Sequence, residues 1–173
     1  MTPIDYKRMD ARIEVLRLAI TGLENSISVL QTKFNENDWY DGFWLLEESE
    51  PIYGLAFIAI QNYINSSIYD KFESLENQYM IYKRDDKIEN SGRTKIELIV
   101  SIANYFKHRD HPSDLKGNTA KILTDLNLKF DKDLDISESP IFKGLDMFSE
   151  SWDLNEIIRI AEDWREKIWK TED

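Results

Sequence analysis

Both histidines of this chain fall in one string, Ser101-Ile-Ala-Asn-Tyr-Phe-Lys-His-Arg-Asp-His111, which concentrates groups able to move a proton or hold an anion. At 100° per residue, Arg93, Glu97, Asn104, Lys107, His108 and His111 lie along one helical stripe, opposite a row of Ile96, Ile99 and Phe106. An amide, an ammonium and two imidazoles on one face can bind a phosphate, or supply an acid and a base near neutral pH. The same residues also suit a structural role. Cations complement the dipole at a helix C-terminus, and an Asn beside a His joins helices by hydrogen bonds. His108 and His111 stand at i, i+3, a spacing that could share a metal, but no third ligand follows at a suitable distance, so no metal is expected. The six glycines form no phosphate-binding loop, and there is no Gly-x-Ser-x-Gly and no His-Glu-x-x-His. The adjacent carboxylates Glu47 and Glu48, and Asp85 and Asp86, read as solvated loop charges. No catalytic residue and no cofactor are assigned.

A second concentration has a different chemistry. Residues 36 to 50 hold six acids, no base, two Trp, one Tyr and one Phe. Such aromatics can close the end of a helical core. They can also form an interface, because Trp and Tyr supply contact area at low entropic cost while acids attract and orient a cationic surface. Asp38, Trp39, Tyr40, Asp41, Trp44, Glu47, Glu48 and Glu50 are therefore the candidate partner-binding residues. Asp131, Asp133, Asp135, Glu138, Asp146, Glu150 and Asp153 could extend that surface.

Helices must position both groups. Thr2-Pro3 is a helix start, and Ile13, Leu16, Ile20, Leu23, Ile27 and Leu30 recur at three and four, so a helix is expected from about 3 to 33. Asn35 to Asp38 ends it, and Gly42 reads as a turn. Ser49-Glu-Pro51 repeats the start signal before a segment, 52 to 72, that is apolar on most sides and belongs in the centre of a bundle; it can run on through Leu75 and Tyr79. A third helix is expected from Arg93 to about His108, ended by Pro112. A short one from Thr119 to Leu126 follows a capping Asn118, and a helical turn covers Pro140 to Phe148. A last helix from Leu154 to about Lys170 opens on a capping box of Asp153 and Glu156. Leu126 to Phe130, or Ile136, can be a short extended piece, but no period of two persists. The reading is a single all-α domain over residues 1 to 173, an up-and-down bundle of four main helices plus one or two short ones.

Composition bounds the function classes. With 42% hydrophobic residues and 32% charged, 173 residues suit one soluble core, and no apolar run is long enough for a membrane span. The lack of cysteine excludes disulfides, thiolate nucleophiles and cysteine-based metal sites, and with no apolar leader a cytoplasmic location is expected. The net charge of −11 opposes direct binding of nucleic-acid backbone. That charge is uneven. Residues 35 to 50 carry −6 and 131 to 173 carry −7, around a middle segment, 82 to 109, at +3.

The long apolar helix with Asn62-Tyr-Ile-Asn-Ser-Ser-Ile68, followed by a helix ending Ala103-Asn-Tyr-Phe-Lys-His108, resembles the HEPN superfamily of small helical bundles over about residues 50 to 112. The resemblance implies a place in toxin-antitoxin or anti-phage systems and leaves a homodimer open. Catalytic members of that superfamily carry an Arg and a His with four to six residues between them. Here Arg93 is fifteen residues before His108 and Arg109 two before His111, so the ribonuclease residues do not carry over. In size and charge the chain is similar to immunity proteins and antitoxins that neutralise basic nuclease toxins. Two expectations follow. The first is a non-catalytic immunity or antitoxin protein whose partner is a basic protein toxin, covered at its active site by the acidic aromatic segment. The second is a HEPN-like ribonuclease or nucleotide-binding module using Asn104, Lys107, His108 and His111.

Overall fold

The computed structural model describes residues 7–110, 115–131 and 133–170. Its elements are α1 (Ile13–Glu36), α2 (Gly42–Phe72), α3 (Gln78–Tyr82), α4 (Lys95–His108), α5 (Gly117–Asp125), α6 (Pro140–Phe148) and α7 (Leu154–Lys170), with a single 3₁₀ turn at Ile136–Glu138 before α6. No strand forms among the described residues; Leu126 to Phe130 and Ile136 build no sheet, and a lone bridge joins Lys87 and Thr94. The four long helices are those the apolar periods require, α1, α2, α4 and α7. Three shorter helices accompany them, one more than expected.

Cross-helix contacts fix the directions. Arg12 bonds Asp70 and Lys33 bonds Glu48, so α1 and α2 run antiparallel. Gln61 meets Asn104 while Glu50 meets Arg109, so α4 returns antiparallel to α2. Arg17 pairs with Glu162 and Asn155 donates to Glu24, so α7 is antiparallel to α1. The order is up, down, up, down. α2 packs against α1, α4, α6 and α7, as its nearly all-round apolar surface demands. One apolar cluster runs through these helices from Leu16 to Ile168, with Trp164, Phe57 and Ile60 fully enclosed. Each such side chain contributes roughly 1.5 to 3 kcal/mol on leaving water. Close packing is carried by Gly54, where a Cβ would stand 2.5 Å from the Phe106 ring, and by Gly144, where one would stand 2.2 Å from Ile102.

Several boundaries move from where local signals put them, each for a tertiary reason. The Thr2-Pro3 start and the Pro112 stop lie outside the described residues. α1 begins at Ile13, because the carbonyls of Lys7 and Arg8 accept from the buried Arg165 of α7 at 3.0 and 3.2 Å and Asp10 accepts from Tyr63. Residues 7 to 12 form turns that carry those contacts, and the regular helix starts after them. α2 begins at Gly42 instead of Pro51, capped by Asp41 Oδ1, which accepts from the Trp44 N–H at 3.1 Å. Gly42 is thus the first helical residue and Pro51 lies inside the helix. An internal proline costs about 3 kcal/mol. The continuous helix is what lets Glu50, one residue earlier, reach Arg109 and Ser139. At the other end Glu73 turns left-handed at φ 52°, its N–H closing on Tyr69 O, so Leu75 and Tyr79 do not continue α2.

α4 starts two residues later than Arg93 on a capping box, Thr94 Oγ1 accepting from Glu97 N at 3.1 Å and Glu97 accepting from Thr94 N at 2.9 Å. Asn118 does not cap α5; it sits inside it, after Gly117. The box expected at Asp153 is not closed. Its carboxylate accepts from Asn155 N at 2.8 Å, and its own N–H donates to Ser149 Oγ at 3.3 Å instead of to Glu156.

Candidate functional site

The corner between α1 and α2 presents the strongest exposed chemistry. α1 ends when Asn37 Nδ2 donates back to Lys33 O at 2.8 Å and Tyr40 N donates to Asn37 O at 3.0 Å. This tight return drives the Tyr40 ring inward until 1% of it is exposed. Beneath the corner, the Tyr40 hydroxyl donates to Glu48 Oε2 at 2.7 Å, and Lys33 Nζ reaches both Glu48 oxygens at 3.0 Å from a position 4.2 Å over the Tyr40 ring. The bond from Tyr40, with the one from Lys33, holds the Glu48 carboxyl below the usual range. Burial, reinforced by Glu48, pushes the Tyr40 hydroxyl up to about 12.

What remains outside this clamp faces solvent. Trp39 is 67% exposed, Phe43 56% and Trp44 49%, with Asp38 and Glu47 exposed beside them. Trp39 rests edge-on against Tyr40 with 5.8 Å between centroids, so its indole is supported from below and open above. The eight candidate residues therefore divide. Asp38, Trp39, Trp44 and Glu47 are outward. Tyr40 and Glu48 form the clamp, and Asp41 caps α2 while staying exposed. Phe43 belongs to the outward group, and its i, i+4 relation to Glu47 was the signal that would have included it.

Glu50 is a correction. It is 4% exposed, accepts from Ser139 Oγ at 2.5 Å and is ion-paired with Arg109, whose guanidinium lies 5.0 Å over the Phe106 ring. It cannot touch a partner from there. Instead it lines a cleft of about 430 Å³ together with Tyr105, Phe130, Asp131, Asp135 and Ile136. Burial holds the Tyr105 hydroxyl above its ordinary value. Sequence reasoning missed this cleft because α2, α4 and the loop after α5 each supply part of it.

Asn104 and Lys107 on the polar face of α4 bond to neighbouring helices. Gln61 Nε2 of α2 donates to Asn104 Oδ1 at 3.0 Å, Asn104 Nδ2 donates to Thr119 Oγ1 of α5 at 3.2 Å, and Lys107 Nζ donates to Gln61 Oε1 at 2.7 Å. Partial burial lowers the Lys107 ammonium. At the other end of α4, Arg93 binds the buried Glu97 at 2.9 Å and Asp125 at 2.6 Å, tying α5 down. His108 is exposed on the last turn, and His111 lies outside the described residues. Among the described residues no three His, Asp or Glu side chains converge to hold a metal ion, and no helix is long and apolar enough to cross a membrane. No protein-family model, curated protein or solved structure matches the chain.

Proposed function

We propose that this chain is a stoichiometric inhibitor of the immunity or antitoxin type, which binds a basic protein toxin, most naturally a nuclease, and covers its active site without catalysis of its own. The observation that carries the reading is the trio Trp39, Phe43 and Trp44, each about half exposed or more, on a corner stiffened by the Tyr40, Glu48 and Lys33 clamp. Large aromatics held rigidly lose little entropy on contact, and the flanking Asp38 and Glu47 give the face the sign that a cationic surface requires. A nuclease must present a basic cleft to its substrate, so an acidic aromatic corner is complementary to it in charge and able to fill it.

The test looks for a basic protein toxin encoded beside this chain, pairs the two and measures binding and residual nuclease activity; the absence of any such neighbour that it binds would count against the reading. Trp39→Ala/Trp44→Ala should speed dissociation and restore activity, whereas Asp38→Asn/Glu47→Gln should slow association and flatten its salt dependence. Inhibition unchanged in both folded variants would remove the corner from the interface.

A further inference from the structure

α1 carries two seams, an apolar one and an uncharged one that mixes apolar residues with small or polar ones. The inner one, Leu16, Ile20 and Ile27, is buried in the core. The outer one is Val15, Leu18, Gly22, Asn25, Val29 and Thr32, alternating by three and four as a heptad seam does, and every member is exposed, Val15 at 67%, Leu18 at 73% and Val29 at 67%. Eleven positions of α1 between Val15 and Thr32 are exposed and none is charged, in a chain that is 32% charged. The flanking positions are small, and the Ser26, Ser28 and Thr32 hydroxyls donate to the carbonyls of Gly22, Glu24 and Ser28 at 3.1, 3.1 and 2.9 Å. Their donors are satisfied within the helix, so another backbone can approach without orphaning them. Beside the N-terminal half, Val15, Ala19 and Ala59 line a shallow groove of about 350 Å³ between α1 and α2.

From this pattern we infer that the outer seam of α1 packs against the same seam of a second copy of the chain, the two helices running antiparallel. The pattern is self-complementary. A two-fold axis midway between Gly22 and Asn25 sets Leu18 against Val29 of the second copy, Val15 against Thr32 and Gly22 against Asn25, placing large residues opposite small or medium ones. Charge selects the occupant. A cationic partner gains nothing from an uncharged face, whereas two copies at −11 each escape carboxylate repulsion where neither brings a charge. The aromatic corners lie beyond the seam, at opposite ends of such a dimer, so this inference stands apart from the proposed function.

Sedimentation equilibrium of the full chain should show a concentration-dependent dimer. Leu18→Glu/Val29→Glu, two exposed sites that leave the core intact, should weaken it roughly 100-fold or more while helical circular dichroism is unchanged, because carboxylates would be forced into contact. Leu18→Cys/Val29→Cys should give a covalent dimer with a short bismaleimide. Within one chain these positions are about 16 Å apart along the helix, too far for it to span, and the natural chain has no competing cysteine. A wild-type protein that stays monomeric at millimolar concentration overturns the inference, as does a dimer indifferent to the two glutamates or one that yields no cross-link. A dimer abolished by Trp39→Ala/Trp44→Ala instead would also overturn it and place self-association at the corner.

Discussion

The α1–α2 corner and the polar face of α4 both drew attention by composition, and they differ in where their polar groups spend their hydrogen bonds. On α4, Asn104 and Lys107 are consumed by Gln61 and Thr119, so the face joins α4 to α2 and α5. At the corner the bonds run underneath, through Tyr40, Glu48 and Lys33, and the aromatics are left above them. Fixed polar groups beneath exposed apolar ones make a surface that is rigid and still has contact area to bury. Polar groups that bond from one helix to the next make a joint, even where Lys107 and His108 stay exposed at its edge.

The sharpest test of this division is Glu50, which belongs to the acidic segment by sequence and to the interior by position. Glu50→Ala leaves Arg109 without its buried partner and should cost about 3 kcal/mol of stability, lowering the melting temperature by roughly 6 to 12 °C, with no effect on the association rate of a basic partner. A slower association with unchanged melting would return Glu50 to the surface. Trp44→Ala should do the reverse. We expect about 2 kcal/mol of lost binding, roughly 30-fold in Kd, with the melting temperature within about 2 °C of wild type.

On the α4 face, Asn104→Ala should cost about 1 kcal/mol in denaturant unfolding, since Gln61 and Thr119 lose a partner, and should leave partner binding alone. RNA cleavage by the wild type that disappears in His108→Ala would break the comparison by making that face an active site. The smallest effect is the pH dependence of the clamp. Glu48 is held below its ordinary value by Tyr40 and Lys33, so the stability it contributes is present above the unfolded glutamate pKa, about 4.3, and is lost as pH falls through its folded value. Thermal melts should show a shallower acid decline for Glu48→Gln than for wild type below about pH 4.5.

The periodic helices were legible, and the corner was legible in part. Asp41-Gly42 and Ser49-Glu-Pro51 both carry start signals, and the local code alone favours the proline. The chain starts α2 at Gly42, capped by Asp41, and a helix that continues through Pro51 aims Glu50 at Arg109 and Ser139, partners 59 and 89 residues away. The same long-range pairing removed Glu50 from the candidate interface and hid the cleft it lines. Phe43 was within reach of helical spacing once the helix was extended to Gly42.

By itself the sequence determined the all-α bundle, the central place of α2, the span of α7 and the acidic, aromatic character of residues 36 to 50. Each of these follows from residue type and from a 100° step between neighbours, which are local quantities. The tertiary structure decided which carboxylates are spent and which are free, that Tyr40 turns in while Trp39 and Trp44 turn out, and that the second seam of α1 is left uncovered. Those outcomes depend on which distant helices arrive beside each side chain, and a periodicity specifies a face without specifying what meets it.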